Sequence, residues 1–145
     1  MIIRDILTTK RGDLLSVTPG HSIQDAIAIM TEADIGSLIV FQHDIMVGLI
    51  TERDILRGLR RDGAAGLVAT VDTMMVTEPI FAVPDDTVDY VRGVMTKNRI
   101  SHLLVMENDH LIGVISFHDV ARACMNAADF ENQLLKRYIK HWPEA

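Results

Sequence analysis

Gly48-Leu49-Ile50-Thr51-Glu52-Arg53-Asp54 returns 65 positions later as Gly113-Val114-Ile115-Ser116-Phe117-His118-Asp119. Both copies read glycine, two apolar residues, a hydroxyl, two variable positions and an aspartate. Working outward, Val17 to Arg57 aligns with Ala82 to Arg122 without a gap, and eleven of the 41 pairs are identical, including Pro19/Pro84, Met30/Met95, Leu38/Leu103, Gly48/Gly113 and Asp54/Asp119. Eleven further pairs set apolar opposite apolar. The chain therefore holds one supersecondary unit twice, and two such copies are expected to bury their apolar faces against each other.

Within each copy the pattern gives the same order of elements. A short apolar run, Leu14-Leu15 or Ile80-Phe81, precedes a proline and then Ser22 or Thr87, whose hydroxyl suits a helix N-cap. Ile23, Ala26, Ile27 and Met30 follow at helical spacing, as do Val88, Val91, Val94 and Met95, and these stripes read as core. Two apolar runs come next, Leu38 to Phe41 and Met46 to Ile50, with the polar turn Gln42-His43-Asp44 between them. Leu103 to Met106, Glu107-Asn108-Asp109 and Leu111 to Ile115 repeat that hairpin. A second helix is expected from Thr51 through about Leu59 and from Ser116 through about Cys124. The unit is strand, helix, strand, strand, helix, an α/β (α+β) arrangement.

The copies divide the chain into residues 1–60 with an N-terminal lead-in, a connection over 61–71, residues 72–125, and a C-terminal helix over 126–145. Asp62-Gly63-Ala64-Ala65-Gly66 reads as a flexible connection with a glycine placed to stop the helix. Arg57, Arg60 and Arg61, just before it, complement the negative end of a helix dipole. Phe130, Leu134, Leu135, Tyr138 and Ile139 lie at helical spacing ahead of Pro143, and their apolar side is expected to pack on the module or on a second chain.

Composition narrows the functions. With 48 % apolar and 23 % charged residues the chain is ordinary globular material. No window approaches the roughly 18 uninterrupted apolar residues of a membrane span, and Met1-Ile2-Ile3-Arg4-Asp5 lacks the order of a signal peptide, so a cytoplasmic protein is expected. Cys124 is the only cysteine, which excludes an internal disulfide, a paired-cysteine metal site and a redox dithiol. A net charge of -6 argues against a nucleic-acid partner, since such binding draws on lysine and arginine displacing counterions. His21, His43, His102, His110, His118 and His141 lack a metal-ligand spacing, so no metal is expected. Neither a Ser-His-Asp order nor a glycine-rich phosphate loop supports catalysis, and the chain is not expected to be an enzyme.

The doubled motif has two readings. A hydroxyl followed three residues later by an acid is close to a capping box, and caps contribute roughly 1 kcal/mol by themselves. Alternatively, the hydroxyl and free amides at a helix N-terminus suit a phosphate, the aspartate one turn on can accept from both hydroxyls of a ribose, and Leu49 or Val114 could face a purine.

The repeat, its order of elements and the doubled motif resemble a tandem pair of CBS domains, the regulatory module also found in IMP dehydrogenase and in the gamma subunit of AMP-activated protein kinase. Thr51-Glu52-Arg53-Asp54, with Lys10-Arg11-Gly12 ahead of the first strand, is similar to small stand-alone bacterial CBS-pair proteins. The resemblance implies two repeats packed sheet to sheet about a pseudo-twofold axis, two clefts between them, and modules that pair into homodimers, with the second helices contributing much of the contact. The ligands it implies are AMP, ADP, ATP, NAD(H) or S-adenosylmethionine. By the same resemblance Asp54 and Asp119 bind ribose, Thr51 and Ser116 bind phosphate, and Lys10 and Arg53 are further phosphate candidates. Thr51 and Asp54 would face Ile80-Phe81 and Ser101-His102 of the other repeat, whereas Ser116 and Asp119 would face Leu14-Leu15-Ser16 and Gly36-Ser37, and His118 is a further nucleotide-binding candidate. Two departures bear on the phosphate: Ser101 stands where similar proteins often carry arginine, and Phe117-His118 where they often carry Ile-Gly. The expected function is a regulatory module sensing an adenine nucleotide for an unidentified effector protein, and the alternative is a ligand-free dimerisation or scaffold module.

Overall fold

The computed structural model describes residues 1–10 and 14–140, omitting the side chains of Ala127, Phe130 and Lys140. Arg11, Gly12, His141, Trp142 and Pro143, which the sequence singled out, lie outside the described residues. The elements run α1 (Ile3–Thr9), β1 (Ser16–Val17), α2 (Ile23–Ala33), β2 (Ser37–Gln42), β3 (Ile45–Thr51), α3 (Glu52–Asp62), β4 (Phe81–Ala82), α4 (Val88–Asn98), β5 (His102–Glu107), β6 (His110–Ser116) and α5 (Phe117–Lys140). They form two sheets, ordered β1-β2-β3 and β4-β5-β6. Among the described residues no helix is long and apolar enough to cross a membrane.

The local rules that marked the elements also set their ends. Ser22 caps α2 by accepting from the Asp25 amide at 3.0 Å, and Thr87 caps α4 by accepting from the Tyr90 amide at 3.1 Å. Both hairpins turn in two residues with positive φ, His43 and Asp44 in one and Asn108 and Asp109 in the other. That geometry matches the twist of the flanking strands and suits short polar side chains. Gln42 and Glu107, read as turn residues, instead close their strands.

The chain divides into two compact units, Arg11–Phe81 and Met1–Lys10 with Ala82–Ala145. In the first, the apolar faces of α2 and α3 meet Leu38, Val40 and Ile50 of the sheet, and Val71 and Met74 complete the core. In the second, α4 and the start of α5 meet Leu103, Val105 and Ile115, and Ile3 and Ile6 of α1 take the places of Val71 and Met74. The N-terminal lead-in therefore packs with the second repeat rather than with the one it precedes. The main chain repeats the substitution: the Val71 amide donates to His21 O at 2.8 Å, and the Ile3 amide donates to Asp86 O at 2.9 Å.

Two segments differ from the sequence reading. The connection read as flexible is built: α3 continues through Asp62, Gly63 follows at φ +63, and 3₁₀ turns occupy Gly63–Leu67 and Val71–Thr73. The second helix of repeat two and the C-terminal helix are one 24-residue helix, α5. Ala-rich sequence at 127–128 favours helix, and neither glycine nor proline interrupts it.

Candidate functional site

In each repeat the last strand delivers its hydroxyl to the head of the following helix. Thr51 ends β3 paired with Ser37, and Ser116 ends β6 paired with His102. The Thr51 side chain accepts from the Asp54 amide at 3.3 Å, while Asp54 Oδ2 accepts from the Thr51 amide and from Thr51 Oγ1, both at 2.9 Å. Ser116 and Asp119 repeat the exchange, with Ser116 N to Asp119 Oδ2 at 2.9 Å and Asp119 N to Ser116 Oγ at 3.1 Å. Both readings of the motif meet here. The capping box is formed, and it also fixes each carboxylate at a helix N-terminus, where the dipole and amides favour anionic groups. All of these bonds to carboxylate end on Oδ2, and each carboxylate has a second oxygen with its own acceptor capacity.

The surrounding candidates divide by repeat. Gly36 and Ser37, assigned by resemblance to the Ser116 site, lie against Thr51 in their own unit, where the Glu52 amide donates to Gly36 O at 3.0 Å. Ser101 and His102, assigned to the Thr51 site, lie in the same way against Ser116: the Phe117 amide donates to Ser101 O at 2.7 Å, and Ser101 Oγ is 3.1 Å from His102 Nδ1. Leu15 O accepts from the Ile39 amide, and Ser16 pairs with Ile39 beside it. Leu14, Leu15, Ile80 and Phe81 are exposed, Phe81 by 59 %. Leu49 and Val114, proposed to meet the base, are buried, and their main chains are engaged. Leu49 exchanges both main-chain bonds with Val76, at 2.9 and 2.8 Å, whereas Val114 O accepts from Lys10 Nζ at 2.6 Å. Arg53 is exposed, and His118 Nε2 lies 2.8 Å from an Arg122 guanidinium nitrogen.

Lys10 makes the two motifs unequal. Its ammonium lies 2.8 Å from Asp119 Oδ2, so this phosphate candidate sits on the carboxylate assigned to ribose. Partial burial pushes the Asp119 carboxyl up, but the Lys10 hydrogen bond, the Ser116 amide and the Lys10 charge together outweigh it and hold the group below its usual range. The folded value thus lies below the unfolded one. The pair contributes stability above the ordinary carboxylate pKa and loses it as pH falls through the lowered value. Lys10→Met should flatten the acid side of the stability profile by less than about 1 kcal/mol, because the lysine is partly solvated. Melting curves from neutral to strongly acidic pH check this, and an unchanged acid slope in the variant would contradict it.

What the sequence did not expose is how the lead-in segments support the motifs. At Gly48 a Cβ would stand 2.7 Å from Val76 O. At Gly113 the Cβ would meet Leu7 Cδ2, also at 2.7 Å. The signal existed at a different offset, for Ile3, Ile6 and Leu7 fall opposite Val71, Met74 and Met75 at 68 positions rather than 65.

With this geometry, the sequence matches the CBS domain family twice, over residues 3–61 and 68–126. The chain belongs to the CBS-domain family. The CBS pair is 32 % identical to the mitochondrial CBS domain-containing protein CBSX3 of Arabidopsis thaliana over 95 % of this chain and 71 % of that protein. Among solved structures, the CBS-domain containing protein ATU1752 of Agrobacterium tumefaciens superposes with a TM-score of 0.82 at 32 % identity, over 85 % of this chain and 98 % of that one. The CBS pair of protein MJ0100, solved with 5′-methylthioadenosine and S-adenosyl-L-methionine, superposes with a TM-score of 0.75 at 25 % identity, over 88 % and 98 %.

Proposed function

We propose that this CBS pair is a regulatory module, not a catalyst, which binds an adenine nucleotide at the heads of α3 and α5 and passes its occupancy to an effector protein. The observation that carries the reading is the twice-built carboxylate at a helix N-terminus, next to a hydroxyl and with a second oxygen that can accept from a ribose diol. The adenosyl ligands of the MJ0100 CBS pair support the same chemistry. Asp54 and Asp119 take the ribose, while Thr51 and Ser116 take the phosphate. AMP is the smallest ligand that uses all of these groups, and ADP, ATP and NAD(H) share its adenosine. The protein acts in the cytoplasm, with no metal at the site.

A ligand that binds only the folded state raises the melting temperature by mass action. AMP, ADP, ATP or NAD(H) at millimolar concentration should therefore stabilise the protein. A melting temperature unmoved by all of them would favour the ligand-free scaffold, for which the completed capping boxes are sufficient reason to keep the motif.

Lys10 gives this reading a further consequence at one motif. A 5′-phosphate offers its ammonium a new anionic partner, and charge-assisted bonds of that kind are strong. Lys10→Met should weaken AMP by about tenfold while changing adenosine much less. Competitive titration of the two ligands reads the ratio, and equal losses for both would remove Lys10 from the phosphate.

A further inference from the structure

The two lead-in segments dock on the same kind of turn, and one of those turns closes on an imidazole. Thr18-Pro19-Gly20-His21 and Val83-Pro84-Asp85-Asp86 both carry proline second, and they are closed by the His21 amide on Thr18 O at 3.2 Å and by the Asp86 amide on Val83 O at 3.1 Å. The last side chain of each turn braces it in the other direction. Asp86 Oδ2 accepts from the Val83 amide at 3.0 Å, and His21 Nδ1 accepts from the Thr18 amide at 2.9 Å, with Thr18 Oγ1 also 2.9 Å away. Each turn then offers two carbonyls to a lead-in segment. The Val71 and Asp72 amides donate to His21 O and Pro19 O at 2.8 and 3.2 Å, as the Ile3 and Arg4 amides donate to Asp86 O and Pro84 O, both at 2.9 Å.

The difference between the turns is chemical. A main-chain amide can only donate, so Nδ1 of His21 carries no hydrogen in the closed turn. An imidazolium has a hydrogen on both nitrogens and cannot accept there, whereas a carboxylate accepts throughout the range in which histidines titrate. The charged groups on the elements that meet His21 are Asp25 on the first turn of α2 and Asp72 on the Val71–Thr73 turn. Neither forms an ion pair with the ring among the described residues, and both would favour an imidazolium turned out of the clasp. We infer that the Thr18–His21 turn is an acid-operated clasp: proton uptake by His21 loosens the lead-in segment 69–76, while the Asp86 turn keeps the other lead-in segment in place. The loosened segment ends at Val76, whose main chain pairs with Leu49 two residues before Thr51, so acid weakens the support of the first motif and spares the second. The clasp does not rest on nucleotide binding.

Amide NMR with hydrogen exchange on the full chain, from about pH 7.5 to about pH 5.5, tests it. The Thr18 amide should shift with the midpoint of the His21 ring, and the protection factors of the Val71 and Val76 amides should fall about three- to tenfold, the effect of one lost hydrogen bond on a local opening. Those of Ile3 and Val83 should hold. His21→Asp, which copies Asp86, should remove the response, and His21→Asn, a neutral acceptor that does not titrate, should do the same without the added charge. A Thr18 amide that stays in place while His21 takes its proton would overturn the inference. So would Val71 and Val76 amides that keep their protection, or a response that survives in both variants and therefore belongs to another group.

Discussion

Asp54→Asn and Asp119→Asn should each weaken AMP binding at the altered motif by about ten- to hundredfold, the largest effect expected of any single side chain. The magnitude follows from hydrogen bonds to a charged group, worth roughly 1.5–3 kcal/mol. The direction follows from chemistry, since an ionised carboxylate only accepts, and a ribose diol arrives with two donors, whereas an amide presents one accepting oxygen and a competing N–H. Stability should change by less than about 1 kcal/mol, because asparagine retains an oxygen for the Thr51 or Ser116 amide. The motifs should differ in detail: at Asp119 the substitution also removes the ion pair with Lys10. Calorimetric titration of each variant gives the affinities, and denaturant unfolding gives the stabilities. Asparagine variants that bind AMP as tightly as the parent would show that these carboxylates serve only as caps.

The glycine that opens each motif gives the second large effect, unequal between repeats. Gly48→Ala would push a Cβ to 2.7 Å from Val76 O, a main-chain atom held by the paired Leu49–Val76 bonds. Relieving the clash means parting that pair or bending β3, and overpacking together with a lost buried hydrogen bond costs about 2–4 kcal/mol. Gly113→Ala meets the end of the Leu7 side chain, which can turn aside, so it should cost about 1 kcal/mol or less. Urea unfolding of both variants tests the contrast, and equal costs would contradict the assignment of Val76 as the fixed neighbour.

Much of this was legible because the repeat is local information written twice. The apolar runs, the capping hydroxyls Ser22 and Thr87 and the polar hairpin turns each constrain a few neighbouring residues, and agreement between copies removes accidental matches. The lead-in segments were not legible because they pair with their repeats through space. Ile3 and Val71 fill equivalent places, yet one is an α-helix and the other a 3₁₀ turn, at an offset that breaks the 65-residue alignment. The run of α5 through residues 125–128 was hidden for another reason: Asn126, Ala127 and Ala128 carry no apolar periodicity, although the two alanines favour the helix. At the site, residue types revealed the reciprocal bonds of Thr51 with Asp54 and of Ser116 with Asp119. They could not reveal that Lys10 reaches Asp119 from the far end of the chain, because nothing in its spacing links it to residue 119.

The central claim is that the doubled motif holds a ribose. A crystal structure of the protein grown with AMP measures this directly, through the distances from the ribose hydroxyls to the carboxylates. The account predicts both hydroxyls within hydrogen-bonding reach of Asp54 or Asp119, with the phosphate at Thr51 or Ser116. AMP bound elsewhere, or with its ribose turned away from both aspartates, would contradict it.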